Sequence, residues 1–275
     1  MTVDSHQHFW SYDEREYPWI PKGTPLHRDW LPEDLAALER PLGIEGSISV
    51  QARQTVEESR WLLTLADHDP RIKGVVGWVD LRSPHIDEQL AELCHHPRFR
   101  GVRHVVQDET DERFMQGADF RRGIRALKAF GLTYDILIQA SQLPVAVELV
   151  REFPDQPFVL DHIAKPPIKT GQLEPWKTQI RELAQAPKLM CKVSGMVTEA
   201  DHRGWKPSHL QPYLDVVFEC FGPNRLMWGS DWPVCLLAAG YDRVFQTVKD
   251  YTKGLSEAER AAVFGENCAR FYGLS

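Results

Sequence analysis

Short runs with the composition of buried strands recur along the chain, and segments of helical period separate them. Each run is rich in β-branched or other apolar residues, or ends at a turn signal, which is typical of the strands of a parallel sheet. The eight runs begin at Val3, Gly46, Ile72, Phe99, Leu132, Pro157, Leu189 and Arg225. The pattern therefore predicts eight buried strands.

Apolar residues three or four positions apart mark helices between these runs. Thr55 and Glu58 have the spacing of a capping box before the first of these segments, and Ser256 with Glu259 has the same spacing at the last helix. Eight strands that alternate with eight helices favour a closed (β/α)8 TIM barrel over the alternative, an open doubly wound sheet. A length of 275 residues fits one barrel domain over residues 1–275.

The first connection, at about residues 9–43, is too long for a helix alone. It contains "YPWIPKGTPLHRDWLPEDL", whose proline and tryptophan content argues against disorder. Long connections in compact domains are usually functional. We expect this one to fold over the top of the barrel as a lid.

Composition and charge narrow the class of partner. A net charge of −7 argues against nucleic acid and against an anionic membrane, and no run of eighteen apolar residues is present. The N-terminus has no charged-then-apolar leader, and the five cysteines show no C-x-x-C spacing. These features predict a cytoplasmic protein with reduced thiols and a small-molecule substrate, and they are compatible with a homo-oligomer.

Two histidines stand one residue apart in "DSHQHFW", at the start of the chain. Side chains alternate along a strand, so His6 and His8 should point to the same side, together with Asp4. Taken alone, this spacing fits two surface histidines as well as it fits a chelating pair.

Other predicted strands also end in polar or aromatic side chains. In a (β/α)8 barrel the carboxyl ends of the strands form the active site. Unpaired polar groups are costly to bury there, so their presence indicates a functional pocket shared with His6 and His8. The residues at these ends are Gln51, Trp78, Asp80, Arg103, His104, Asp161, His162, Ser230, Asp231 and Trp232.

Seven motifs, in this order, resemble the amidohydrolase superfamily and, within it, the barrel lactonases. They are "DSHQHFW", "YPWI", "GVVGWVDL", "FRGVRH", "VLDHIAKPPI", "CKVSGMVTEA" and "RLMWGSDWPV". The segments "GVRH" and "CKVSGMVTEA" are most similar to the sugar-lactonase branch. The resemblance implies an amidohydrolase-like barrel that opens an aldonolactone such as L-fucono- or L-rhamnono-lactone by attack of water on the ester carbonyl. The alternatives are a metal-dependent decarboxylase, a lactonase for a dicarboxylate from aromatic degradation, and a non-catalytic sugar-binding barrel.

The resemblance also implies roles for single residues. Asp231 matches the strand-eight aspartate that handles water, and His162 matches the strand-six histidine; we expect these two and His104 to act in catalysis. Lys165 fits a solvated loop cation as well as a substrate contact, and Trp232 fits either a ring that stacks on a sugar or one that closes the barrel top. The predicted substrate-binding residues are Gln51, Trp78, Arg103, Lys165 and Trp232.

The metal content is open at this stage. His6, His8 and Asp231 would supply three N/O ligands, which is the pattern of a catalytic zinc site. The superfamily usually adds a histidine or a carboxylated lysine from strand four or five, but strand five reads "TYDILI". We therefore expect at most one divalent ion, zinc for preference, and leave a metal-free reaction open.

Overall fold

Eight parallel strands form a single sheet in the computed structural model, which describes residues 1–274. Each strand pairs with the next in chain order. The short strands are buried along their whole length or nearly so, as expected when helices cover the outer face of a parallel sheet. The strands are β1 (Val3–Gln7), β2 (Gly46–Val50), β3 (Ile72–Gly77), β4 (Phe99–Val105), β5 (Thr133–Leu137), β6 (Phe158–Leu160), β7 (Met190–Val193) and β8 (Leu226–Trp228).

The sheet closes between β1 and the segment that follows β8. Gln7 forms a parallel bridge with Trp232. The backbone N–H of His8 donates to the Trp232 carbonyl at 2.7 Å, and the N–H of Asp231 donates to the His6 carbonyl at 2.8 Å. The predicted (β/α)8 barrel is confirmed.

Helices follow the strands at every position where the hydrophobic period predicts them. A π-helical stretch, Ala262–Glu266, connects the last two. The helices are α1 (Pro32–Glu39), α2 (Val56–His68), α3 (Ile86–Leu93), α4 (Ala118–Ala129), α5 (Leu143–Glu152), α6 (Trp176–Leu183), α7 (Pro207–Phe221), α8 (Tyr241–Tyr251), α9 (Glu257–Ala261) and α10 (Asn267–Tyr272). Among residues 1–274, no helix has the length and apolarity that a membrane crossing requires.

The two predicted capping boxes have different outcomes. Ser256 and Glu259 cap α9 reciprocally, as expected. At α2, the Thr55 hydroxyl accepts the Glu58 N–H at 3.1 Å, but the Glu58 carboxylate accepts the N–H groups of Ala52 and Arg53 instead of that of Thr55. The predicted hydrogen bond from the Thr55 N–H to the Glu58 carboxylate is therefore wrong, because this carboxylate binds the turn that follows β2.

The connection after β1 is closed by a bridge within itself and is tied to the segment after β2 through Tyr17 and Trp19. Trp10 and Trp30 form an antiparallel bridge, with backbone hydrogen bonds of 3.0 and 2.9 Å. The Trp19 indole N–H donates to the Ala52 carbonyl at 3.0 Å, and the Tyr17 hydroxyl donates to Glu58 at 3.3 Å. The segment ends in α1, so it carries a helix of its own before β2 begins.

Candidate active site

A cavity of about 530 Å³ opens at the carboxyl ends of the strands. Part of its wall comes from the connection after β1, through Glu16, Trp19 and Leu26. Its inner end is polar and includes His8, Gln51, Arg103, His162 and Asp231. The other residues around it are Pro18, Pro21, Ala52, Gln54, Val105, Gln107, Asp108, Leu137, Lys165, Thr198, Glu199, Val234 and Leu237.

Three imidazole rings surround the carboxylate of Asp231. Its Oδ1 lies 3.4 Å from His8 Nε2, 3.8 Å from His6 Nε2 and 3.8 Å from His162 Nε2. The Nε2 atoms of His6 and His8 are 3.2 Å apart. All four side chains are buried or nearly so, and the arrangement brings together four residues that lie up to 225 positions apart in the chain.

A break in the regularity of β1 separates Asp4 from the two histidines. The register between β1 and β2 shifts between Asp4 and Gln7. Asp4 accepts the Ser230 N–H at 2.8 Å and the Tyr241 hydroxyl at 3.0 Å, so it joins the segment after β8 to the first residue of α8. The expectation that Asp4 shares a side with His6 and His8 is wrong, because it assumed an unbroken strand.

His8 and Asp231 are held by backbone contacts. His8 Nδ1 lies 2.8 Å from the Val50 carbonyl, which only an N–H can satisfy, so Nδ1 carries the proton and Nε2 presents its lone pair. Asp231 has φ of 56°, in the left-handed region, and its N–H is tied to His6. A non-glycine residue in this conformation is strained, and such strain is common at functional sites.

The turn after β6 places His162 and Lys165. Four successive non-glycine residues, from His162 to Lys165, have φ between 47° and 61°. His162 Nδ1 lies 2.8 Å from the Ser194 hydroxyl. The next residue, Gly195, has φ of 62°, and a Cβ there would lie 2.5 Å from His162 Nδ1. The end of β7 therefore sets the position of the His162 ring.

Arg103 joins the floor of the cavity to the barrel interior. Its Nε donates to Gln51 Oε1 at 2.9 Å, and its Nη2 donates to the Gln51 backbone carbonyl. Nη1 lies 3.2 Å from Asp161 Oδ2 and 3.3 Å from His6 Nε2. The guanidinium is thus held in a fixed orientation by an amide, a carboxylate and an imidazole.

Burial and the neighbouring charges set the protonation of the cluster. Burial lowers the pKa of His6 and of His162 well below the usual value, and it lowers that of His8 in the same direction. For Asp231, burial acts to raise the pKa, but the positive charges that His162 and His8 carry when they are protonated outweigh it and bring the pKa below its usual value. At neutral pH the site therefore holds neutral imidazoles around an ionised carboxylate.

Three predicted site residues lie away from the cavity surface. Trp232 is fully buried, and its ring meets Phe9 and Trp30 edge to face. The Trp78 indole N–H donates to His104 Nδ1 at 3.1 Å, and His104 Nε2 lies 2.7 Å from Glu109. These contacts hold Trp232, Trp78 and His104 in the wall behind the cavity, whereas Gln51, Arg103, His162, Lys165 and Asp231 line it.

Two cavity residues were not among the predicted site residues. Trp19 lines the cavity and is 41% exposed, a large value for an indole ring. Glu199 lines it opposite Lys165, with 3.9 Å between Oε1 and Nζ. Burial raises the pKa of Glu199. Trp19 belongs to the motif "YPWI" in the predicted lid. Its position in that segment is the sequence feature that could have identified it as a cavity residue.

The donor atoms of His6, His8 and Asp231 fit a zinc ion. A tetrahedral site with bonds of about 2.0–2.1 Å places neighbouring ligand atoms about 3.3–3.4 Å apart. The three donors lie 3.2, 3.4 and 3.8 Å from one another. Two neutral imidazoles and a carboxylate are also the ligand chemistry that zinc accepts.

Comparisons with known proteins agree on one family. Residues 3–274 match the family model described as amidohydrolase. The chain is 44% identical to an L-fucono-1,5-lactonase of Burkholderia multivorans, over all of this chain and 96% of that protein. It is 37% identical to an L-fucono-1,5-lactonase of Burkholderia ambifaria, again over all of this chain and 96% of the relative.

A solved structure is similar over its full length. A crystal structure of an amidohydrolase from Burkholderia multivorans with bound zinc superimposes with a TM-score of 0.97 at 44% identity. The match covers 100% of both chains. The barrel and its connections are therefore shared along the whole chain.

Proposed function

Since the chain belongs to the amidohydrolase family, we propose that it is an enzyme that hydrolyses the ester of a sugar lactone. The substrate class is an aldonolactone of a six-carbon deoxy sugar, with L-fucono-1,5-lactone as the first candidate. Relatives at 44% and 37% identity carry the name of that activity.

The observation that carries the proposal is the surrounded carboxylate of Asp231. An ionised carboxylate at the inner end of a cavity is a suitable general base, and its neutral imidazole neighbours leave the charge free to accept a proton. Asp231 takes a proton from water as the water oxygen adds to the lactone carbonyl. When the bond from the acyl carbon to the ring oxygen breaks, the same proton returns to that oxygen and a hydroxy acid leaves.

Other residues of the cluster assist this reaction. Arg103 is fixed by Gln51 and Asp161 and lines the cavity, so its donors are preorganised for the carbonyl oxygen as negative charge develops there. His162 faces Asp231 and is placed to orient the water. Gln51 positions Arg103 and also lines the cavity.

The metal is one zinc ion, which His6, His8 and Asp231 would hold. The chemistry that zinc supplies when bound is Lewis-acid polarisation of a carbonyl oxygen. The protein contributes the orientation of the ligands: the Val50 carbonyl fixes the His8 tautomer, and the His6 carbonyl holds the backbone of Asp231.

The charge of the cavity favours a neutral sugar lactone over a dicarboxylate. Four acidic side chains line it, Glu16, Asp108, Glu199 and Asp231, against two cations, Arg103 and Lys165. One bound Zn²⁺ would bring this lining close to neutral, so the cavity offers a dianionic lactone no surplus of positive charge. A hydroxyl-rich ring can instead donate to these carboxylates and accept from Lys165.

The remaining predictions concern the surroundings of the reaction. Residues 9–43 are proposed as a lid, because Glu16, Trp19 and Leu26 form part of the cavity wall. One domain over residues 1–275, a homo-oligomer, a cytoplasmic location, and the absence of nucleic-acid and membrane partners stay predictions.

A panel of substrates tests the function. Purified protein is loaded with zinc and assayed by acid release with a pH indicator on aldonolactones of both ring sizes and on a pyrone dicarboxylate. Release of ammonia from a set of amides and release of carbon dioxide from an aromatic carboxylic acid are measured as comparisons. We expect turnover on six-carbon deoxy-sugar lactones. Activity confined to amides, or loss of carbon dioxide from the aromatic acid without lactone opening, contradicts the proposal.

A further inference from the structure

Lys192 of β7 lies inside the barrel beneath the proposed zinc ligands, and the reaction described above does not use it. The side chain is fully buried. Its Nζ lies 3.1 Å from His6 Nδ1 and 3.1 Å from Asp161 Oδ1, and it donates to Asp135 Oδ2 at 2.5 Å. A buried lysine needs anionic partners, and here it has two.

Two sets of metal donors overlap at this point. The first cluster is His6, His8 and Asp231, and the second cluster is His6, Asp161 and His162. In each, the donor atoms lie within 4.8 Å of one another. Because both clusters contain His6, a choice between them decides where an ion sits relative to the cavity.

Cationic side chains already engage the second cluster. The Lys192 ammonium group is within 3.1 Å of both His6 Nδ1 and Asp161 Oδ1. The other carboxylate oxygen of Asp161 lies 3.2 Å from Arg103 Nη1. Arg103 also lies 3.3 Å from His6 Nε2, a donor of the first cluster, so the two clusters differ in their carboxylates. Asp161 contacts both cations, whereas the ionic contacts of Asp231 are to imidazole rings among the described residues. A metal ion that approached Asp161 would meet two positive charges, which are buried and therefore weakly screened.

We propose that Lys192 is a positioning residue for the metal centre: its ammonium group fills the second cluster, so that an ion binds only at the first. This inference rests on the proposed function, since it concerns the zinc ion of the lactonase. It places the ion at His8 and Asp231, which both line the cavity, instead of at His162, which lines it, and Asp161, which is fully buried.

The charges around Lys192 are balanced without any metal. Lys192 and Arg103 face Asp135 and Asp161, and the Tyr272 hydroxyl donates to Asp135 Oδ2 at 2.8 Å. The pair Lys192→Met and Asp135→Asn removes one charge of each sign. In the double variant Asp161 keeps its contact with Arg103 through Oδ2, but Oδ1 loses the ammonium group and becomes available to an ion.

The test asks whether zinc binding depends on His8. Zinc per chain is measured by elemental analysis after loading and dialysis, with circular dichroism to check folding. In the parent sequence, His8→Ala should reduce tightly bound zinc from about one ion per chain to below about a tenth. In the Lys192→Met/Asp135→Asn background, His8→Ala should leave about one ion bound, through the second cluster. The matched control, Asp135→Asn with His8→Ala, keeps Lys192 and should hold no zinc.

Zinc that persists in the His8→Ala single variant overturns the proposal, and so does its loss in the triple variant while that variant is folded. A measurement on the unmodified protein covers the case in which the triple variant does not fold. Anomalous scattering at the zinc edge should place the ion at His8 and Asp231, and an ion at Asp161 and His162 contradicts the role of Lys192. A parent protein that binds zinc at the first cluster but opens no lactone contradicts the proposed function alone.

Discussion

At the level of single residues, Asp231 faces imidazole rings, while the buried cations of the barrel pair with other carboxylates. Lys192 contacts Asp135 and Asp161, and Arg103 contacts Asp161. Asp231 therefore has no part in the ion pairs that lie deeper in the barrel. This separation means that its charge can be removed without leaving a buried cation unpaired.

The change Asp231→Asn should remove most of the turnover and leave the fold intact. Loss of a general base typically costs a factor of roughly 10² to 10⁴ in rate. The amide keeps the shape of the side chain, so we expect loss of the zinc ion together with a melting temperature close to that of the zinc-free parent. Lactone kinetics, thermal melts and zinc analysis on the same preparation check all three.

Asp108→Asn is the matched control, because Asp108 also lines the cavity. It should change kcat by no more than a few-fold. If Asp231→Asn melts far below the zinc-free parent, or if it turns over at a near-parental rate, the catalytic role belongs to another residue.

Trp19 offers a second prediction at this scale. Its indole N–H is tied to the Ala52 carbonyl and its ring stands 85° to that of Trp10, so an exposed ring is held still against the cavity. Trp19→Leu should raise KM for a sugar lactone with little change in kcat. An aromatic contact of about 0.5–1.5 kcal/mol corresponds to roughly 2- to 12-fold in KM.

Trp19→Phe keeps an aromatic ring and should lie between the parent and Trp19→Leu. Steady-state kinetics on one lactone give kcat and KM separately. Equal KM values for the parent and Trp19→Leu would show that the ring does not contact the substrate.

At the level of elements, the turns after β6 and β7 act together on His162. Gly195 has φ of 62° and lies against the His162 ring, whereas Gly131 has φ of 67° and open space around its Cβ position. Alanine is strained by about 1–2 kcal/mol at either position, because both require a left-handed backbone. Only Gly195→Ala also pushes on the imidazole.

Gly195→Ala and Gly131→Ala should therefore both lower the melting temperature, Gly195→Ala by more because its Cβ also meets the buried His162 ring. Only Gly195→Ala should lose turnover, by about tenfold or more. The expected difference comes from displacement of His162, and small misplacements of catalytic groups have large effects on rate. Thermal melts and lactone kinetics on the two variants supply the comparison. Equal activities would mean that the His162 position is not critical.

Glu58 links α2, the turn after β2 and the connection after β1, and it is almost fully buried. Burial raises its pKa from 4.5 to about 7. A carboxyl group whose pKa is higher in the folded state than in the unfolded state stabilises the fold at a pH below its unfolded-state pKa. This stabilisation is lost as the pH rises through the folded-state pKa. The free energy of unfolding of the parent, relative to that of Glu58→Gln, should thus fall by about 2–3 kcal/mol between pH 5 and pH 8.

Denaturant unfolding of the parent and of Glu58→Gln at the two pH values measures this difference. Glu57→Gln makes the same chemical change at an exposed neighbour in the same turn. A relative stability that does not change with pH would show that Glu58 keeps an ordinary pKa.

The sequence predicts the elements better than it predicts side-chain directions at their ends. Eight strands, the helices and the cluster of His6, His8 and Asp231 follow from period and order, which depend on local composition. The direction of Trp232 depends on the left-handed backbone of Asp231, the residue before it, and no glycine marks that turn. The register shift that turns Asp4 away from the histidines is set by pairing with β2, which is a non-local property.

At the level of the whole molecule, the barrel interior consists of an apolar layer and a layer of buried charged groups along the barrel axis. Apolar side chains such as Val3, Ile48, Val76 and Met227 fill one part together with Tyr272 of α10. Buried charged groups lie between this layer and the cavity. The apolar layer and the helices that cover the sheet hold the barrel together, and the contacts of each zinc donor with the protein orient the site.

Removal of zinc should therefore abolish lactone turnover without unfolding the chain. Small zinc modules unfold when chelated because the metal replaces a core, but this barrel has an extensive core of its own. Chelation should lower the free energy of unfolding only by the contribution of zinc binding. This contribution is about 2.7 kcal/mol when free zinc is a hundredfold above its dissociation constant.

Near- and far-ultraviolet circular dichroism should keep the signature of a folded barrel, and added zinc should restore both turnover and the original melting temperature. Collapse of the near-ultraviolet signal on chelation would show that the ion is part of the folding core, and full turnover in the zinc-free protein would show that Asp231, Arg103 and the imidazoles carry out the reaction without it.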